Sequence, residues 1–241
     1  MILVGSVTTA HKLDGTETKW LTYAEQIAAS HPDGVKFFIA VELDSRGFYE
    51  AYNSLLDRLS EVRAEVWTYT IDKTPFSSKA YEITTRERFV RIATGRNLVT
   101  EVGITSGASH ILFVDTDTEP PADALPKLLA VNRALVFGHV PTYCLDGPRL
   151  PLMPGDTRQH WSSAGFVLVQ REAFRRVRWG WDPDDQMTDD PAYARDVTVV
   201  GTGLNHDWAP VTRHDCVALH YPEVIGPLET RGTDRFLRRT H

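Results

Sequence analysis

Short apolar runs recur along the chain, and several end at a turn former or an acid. Ile2 to Val4 is closed by Gly5-Ser6, Val35 to Leu43 (VKFFIAVEL) by Asp44-Ser45, and Ile111 to Val114 by Asp115. Runs of this length bounded by turn formers predict buried strands. Ala64 to Ile71 and Ala134 to Val140 read the same way, Gly165 to Val169 adds a short apolar run, and Asp196 to Val200 and Cys216 to Leu219 read as shorter extended segments. Between them the apolar spacing becomes helical. It predicts a helix around residues 20–30, one over 49–62 (Tyr52, Leu55, Leu56, Leu59) and a long one over 86–106, with Phe89, Ile92, Ala93, Val99 and Val102 on one side and Gly107 after its end. Pro120-Pro121 stops the extended segment before it, and Pro121 suits the first turn of a helix running to about Ala130.

The order strand, helix, strand predicts an α/β fold, a mixed and mostly parallel sheet flanked by helices. Ligands of such sheets collect at the carboxyl ends of the strands. At 241 residues the chain can bury one substantial core, and no Gly/Ser-rich or Pro-rich linker divides it, so one domain is expected. Its first half, 1–130, carries the clearest alternation. The second half, 131–241, holds a proline-interrupted region and the aromatic and acidic stretch WGWDPDDQMTDD, and reads as the substrate-facing side.

Charge and cysteine content narrow the setting. A formal charge of -6 argues against broad attraction to nucleic acid or anionic membrane, although a local basic patch remains compatible with it. Cys144 and Cys216 have no metal-ligand spacing, so two free thiols are expected rather than a long-range disulfide. MILVGSVTTA lacks a basic leader region and no later run is long enough for a membrane span, which makes a soluble cytoplasmic protein the expectation.

The chemistry concentrates in ILFVDTDTEPPADAL, residues 111–125. Residues two apart on an extended chain face the same way, so Asp115 and Asp117 can both meet a ligand while Thr116 faces away. Their repulsion asks for a counter-charge, which Mg²⁺ or Mn²⁺ supplies together with diphosphate oxygens. Asp residues capping the turn before the next helix are the plainer alternative.

The long helix with Arg91, Arg96 and Asn97, followed by the buried strand and D-x-D, resembles the GT-A class of nucleotide-sugar-dependent glycosyltransferases, family 2-like, with a single α/β domain. The likeness is strongest over residues 88–121. It implies a UDP- or GDP-linked sugar donor, UDP favoured, held through Mn²⁺ or Mg²⁺. Asp117 then becomes the primary metal ligand, Asp115 a ribose or sugar contact with a share in the metal, and His220, in CVALHYPE, a further ligand. The resemblance also places Ser6 and Thr8 at the end of the first strand, and Glu42 or Asp44 after the second, at the base and ribose. Arg96 and Asn97 would lie near the diphosphate or base, Arg96 alternatively pairing with Glu101 on the helix surface. Gly165 would let the donor sugar approach closely.

On the acceptor side, Asp189-Asp190 before Pro191 matches the acidic pair of inverting members. Asp190 is the candidate base, Asp189 an acceptor contact, and Asp185 a further candidate; helix capping is the alternative for either member of the pair. Trp179 and Trp181 could stack on a sugar or belong to the core. The acceptor would bear a hydroxyl on a glycan, small molecule, protein or modified base. The pair is Asp-Asp where Glu-Asp is common, which leaves inversion or retention open. A nucleotidyltransferase and a non-catalytic nucleotide or carbohydrate-binding protein are the competing readings. The absence of a glycine-rich basic loop after the first strand weakens the former.

Overall fold

The computed structural model describes residues 1–9, 22–27, 31, 34–42, 65–69, 85–116, 118–140, 142–144, 147–149, 165–180 and 189–220. Its centre is a seven-stranded sheet in the order β10-β6-β9-β4-β1-β2-β3. These strands are β1 (Ile2–Thr9), β2 (Val35–Glu42), β3 (Glu65–Tyr69), β4 (His110–Val114), β6 (Leu135–His139), β9 (Phe166–Gln170) and β10 (Val211–Val217). β9 alone among them runs antiparallel to its neighbours, β4 and β6. The mixed, mostly parallel sheet expected from the sequence is therefore present. A two-stranded sheet pairs β5 (Thr118–Glu119) with β11 (Leu219–His220), and a small hairpin joins β7 (Thr142–Cys144) to β8 (Gly147–Arg149).

Alternate residues of the strands feed two cores. One face carries Ile2, Val4, Phe37, Ile39, Val41, Leu112, Val114, Val136, Phe166 and Leu168, covered by α1 (22–27) and α3 (Ala124–Leu129). The opposite face carries Leu3, Phe38, Ala40, Ile111, Phe113, Leu135, Phe137, Val167 and Val169 against α2 (Thr85–Thr105), α4 (Arg171–Arg176) and α5 (Asp189–Gly203). Glycines let α2 lie close to the sheet: a Cβ on Gly95 would run into Val7, and one on Gly103 into Ile111. Gly107 has φ 71°, a left-handed conformation that suits glycine and ends the helix where the sequence placed the stop.

Two expectations are corrected. Asp196 to Val200 is helical, not extended, because Tyr193, Ala194 and Val197 share one buried face at helical spacing; packing overrides the β-branched residues' preference. Pro121 precedes α3 rather than entering it: its carbonyl accepts a hydrogen bond from Ala124 N at 2.8 Å, and the helix begins there. The helix expected over 49–62 lies outside the described residues. Cys216 is a buried free thiol whose pKa burial pushes up to about 11. No helix among the described residues is long and apolar enough to cross a membrane.

Candidate active site

β1, β2, β3, β4 and β6 all run toward one edge of the sheet, and the chemistry-bearing side chains gather there. On the first face the strand ends carry hydroxyls. Ser6 is buried, and its Oγ has no hydrogen-bond partner among the described residues. Thr8 is buried and places its Oγ1 3.4 Å from that of Thr116. Thr116 thus faces this side, away from Asp115, as alternation requires.

The other face carries charge. Glu42 is buried at the end of β2, with Oε1 3.0 Å from Arg91 Nε on α2. Tyr69 pairs in register with Glu42 and donates its hydroxyl to the Arg91 carbonyl at 3.2 Å. Burial and the neighbouring Glu42 carboxylate raise its pKa well above the ordinary phenol value. Five residues further along α2, Arg96 is buried too. Its Nη2 lies 3.8 Å from Asp115 Oδ1, and its guanidinium carbon sits 4.8 Å from the centre of the Trp179 ring. A charge this buried needs compensation, and the carboxylate and the aromatic face both contribute.

Asp115 itself keeps 37% of its side chain exposed. Its backbone is held on both sides: its N–H donates to the Gly165 carbonyl at 2.9 Å, and its own carbonyl accepts from Thr118 N at 3.0 Å. β11 then pairs antiparallel with β5 so that His220 lies opposite Thr118. That register brings the backbone of a residue from the far end of the chain to the segment just after the D-x-D.

The remaining candidates fall as follows. Asn97 makes two hydrogen bonds to the backbone of Trp179, Nδ2 donating to its carbonyl and Oδ1 accepting from its N–H, both at 2.9 Å. In this structure its side chain serves to hold Trp179. Trp179 is core: it stacks on Tyr193 at 3.8 Å and meets Phe113 edge-on at 5.1 Å. Asp189 and Asp190 occupy the start of α5, whose Tyr193 is part of that stack. Asp44, Asp117, Trp181 and Asp185 lie outside the described residues, as do the side chains of Asp189, Asp190 and His220. No cluster of three metal-ligating side chains occurs among the described residues.

Sequence reasoning named Glu42 and Arg91 but not their pairing, and it missed Tyr69 and His139. Tyr69 could have been suspected from its place at a strand end. His139, buried at the end of β6, stood in a segment that read simply as strand.

No protein-family model matches the chain, and no curated protein matches it in sequence. Solved structures do match its shape. One is the mannosyltransferase PcManGT from Pyrobaculum calidifontis in complex with GDP-Man and Mn²⁺, with TM-score 0.54, 14% identity, and coverage of 94% of this chain and 59% of that one. A second is S. aureus TarS, with TM-score 0.52, 11% identity, and coverage of 92% of this chain and 36% of that one. A third is a mycobacterial protein, with TM-score 0.51, 14% identity, and coverage of 92% and 68%. The chain therefore has the GT-A-like fold, and it spans about three fifths of the mannosyltransferase's length and about a third of that of TarS.

Proposed function

We propose that this protein is a glycosyltransferase that moves a sugar from a nucleoside diphosphate, UDP or GDP, to a hydroxyl acceptor with Mn²⁺ or Mg²⁺ as cofactor. One observation carries the reading: in a GT-A-like sheet, the half-exposed carboxylate of Asp115 ends the central strand β4 directly beside a buried guanidinium. A solved structure of the same fold is a complex with GDP-Man and Mn²⁺, which supports a nucleotide-sugar donor and a divalent metal.

The donor set suits a hard divalent ion. Asp115 offers carboxylate oxygen and stays accessible despite its buried neighbour, and the β5–β11 pairing brings His220 opposite Thr118. Asp117 and His220, with a share from Asp115, would hold the metal. When bound, it offsets the negative charge gathering on the leaving diphosphate. Ser6, Thr8 and Asp44 would line the nucleoside site. Arg96 fixes Asp115 from below, and Asn97 fixes the Trp179 ring against which that guanidinium lies. Gly165, beside Asp115, would leave room for the sugar.

In the transfer, the acceptor oxygen bonds to the anomeric carbon as the bond from that carbon to the diphosphate breaks. The hydroxyl proton passes to the carboxylate of Asp190 in the first turn of α5, with Asp189 contacting the acceptor.

A donor panel tests the proposal. The protein is incubated with Mn²⁺ or Mg²⁺ and individual UDP- and GDP-sugars, and nucleoside diphosphate release is measured. Release with a subset of donors, lost on chelation and reduced at least about a hundredfold in Asp190→Asn, is the expected result. Tight donor binding without release at any acceptor would favour a carbohydrate-binding role. Pyrophosphate release from a nucleoside triphosphate and a sugar phosphate would favour a nucleotidyltransferase.

A further inference from the structure

His139 is the least explained buried polar side chain at the ligand edge. It is 3% exposed, yet neither Nδ1 nor Nε2 has a hydrogen-bond partner among the described residues. Its backbone is fixed, the carbonyl accepting from Ala218 N at 2.8 Å, and its ring centre lies 5.8 Å from that of His214. Leaving both nitrogens of a buried imidazole unused is costly, and native proteins rarely do so without a ligand or water to meet them.

The sheet register says what the ring can reach. Phe113 pairs with Val167 across β4 and β9, and Val167 with Phe137 across β9 and β6. Phe113, Val167 and Phe137 all contribute to the second face. One pleat further toward the ligand edge, the same row becomes Asp115, Gly165 and His139. The Asp115–Gly165 hydrogen bond confirms one side of this row. The close approach of Gly138 to the Phe166 ring, where a Cβ would collide, confirms the other. Asp115 and His139 therefore flank Gly165 on one face, separated by two strand spacings, or roughly 10 Å between their backbones. Gly165 contributes no side chain between them. A hydroxylated sugar ring matches such a span, bounded by a carboxylate at one side and an imidazole at the other.

We infer that His139 is a donor-sugar contact, its ring nitrogens hydrogen-bonding a hydroxyl of the transferred sugar above Gly165. The inference rests on the glycosyltransferase reading and deepens it by naming a residue that recognises the sugar rather than the nucleotide. A neutral imidazole offers one donor and one acceptor, which matches a hydroxyl that can both give and take a proton. Burial and the neighbouring His214 lower the pKa of His139 and favour that neutral form.

The test compares nucleotide sugars with bare nucleotides. UDP-glucose, UDP-galactose, UDP-N-acetylglucosamine and GDP-mannose are titrated calorimetrically with Mn²⁺, each beside UDP or GDP, into the wild type, His139→Phe and His139→Gln, with melting curves confirming folded variants. Phe keeps a flat ring and removes both nitrogens, whereas Gln keeps hydrogen-bonding capacity. The expected result is about a tenfold loss of nucleotide-sugar affinity in His139→Phe, unchanged affinity for the bare nucleotide, and partial retention in His139→Gln. Equal effects on both ligands, or no effect on either, overturn the sugar contact alone. A wild type that binds none of these ligands overturns both this inference and the function it rests on.

Discussion

The two faces of the sheet are built by alternate residues of the same strands, and they part company at the ligand edge. The face under α1 and α3 stays apolar from Ile2 and Phe37 through Leu112 and Phe166, and ends in the hydroxyls of Ser6, Thr8 and Thr116. The face under α2 and α5 is equally apolar in its middle but ends in Glu42, Arg91, Arg96, Asp115 and His139. Neutral hydroxyls cost less to bury than charges and give weak, adaptable contacts. Charges cost far more, and a fold keeps them where they are paired or used. Neutral and ionic polar groups are thus segregated by face at the ligand edge, so substitutions on the two sides should have separable effects.

The largest effect expected of that segregation is on stability alone. Phe166 is fully buried on the first face, packed against the backbone at Gly138. Phe166→Ala removes a large core side chain and should cost about 3–5 kcal/mol in denaturant unfolding. Nucleotide-sugar affinity measured well below the melting temperature should stay within about twofold of the wild type, since no charged group moves. A variant that loses affinity in step with stability would show that the two faces act as one unit.

What the sequence made legible follows the same division. The apolar runs located β2, β4 and β6 to within a residue or so, because a buried strand writes its whole environment into consecutive side chains. The place of Asp115 at the end of β4 was legible for the same reason: charge directly after a buried strand marks an edge. Asp196 to Val200 misled because a β-branched pentapeptide looks extended unless the neighbouring Tyr193, Ala194 and Val197 are seen on one helical face. Asn97 and Trp179 were weighed as ligand contacts because polar and aromatic groups near a site invite it. Their mutual hydrogen bonds join residues 82 positions apart, and no local pattern records such a pair. His139 was illegible for a related reason: its missing partners and its place across Gly165 from Asp115 exist only once three strands are in register.

A smaller effect, mixed in character, should come from Asn97. Both polar ends of its amide hold the Trp179 backbone, and the Trp179 ring carries the Arg96 guanidinium that approaches Asp115. Asn97→Ala leaves the Trp179 N–H and carbonyl without these bonds and should cost about 1–3 kcal/mol. Unlike Phe166→Ala, it should also weaken metal-dependent nucleotide binding, because Trp179 and Arg96 lose their fixed position beneath the carboxylate. Asn97→Asp keeps an acceptor for the Trp179 N–H and should recover part of the stability. Affinity that falls in Asn97→Ala at a temperature where the protein remains folded would tie Trp179 and Arg96 to the ionic face; a change in stability alone would refute that tie.

The smallest effect belongs to the hydroxyl edge, and it asks whether these groups serve the fold or a ligand. Thr8 and Thr116 stand 3.4 Å apart, a long contact for two hydroxyls and therefore a weak one. Thr8→Val preserves shape and removes one hydroxyl, which leaves Thr116 Oγ1 without that neighbour; a loss of about 1 kcal/mol is expected. In the double variant Thr8→Val, Thr116→Val, the second hydroxyl of this contact is removed as well, and stability should recover the part of the loss that came from an unmatched Thr116 Oγ1. If the pair serves only the fold, nucleotide affinity in the double variant equals that of the wild type. If the hydroxyls line the nucleoside site, affinity falls severalfold while stability recovers. That crossing of the two readouts, one restored and the other lost, would place the nucleotide's uncharged half on the hydroxyl side and its phosphates on the ionic one.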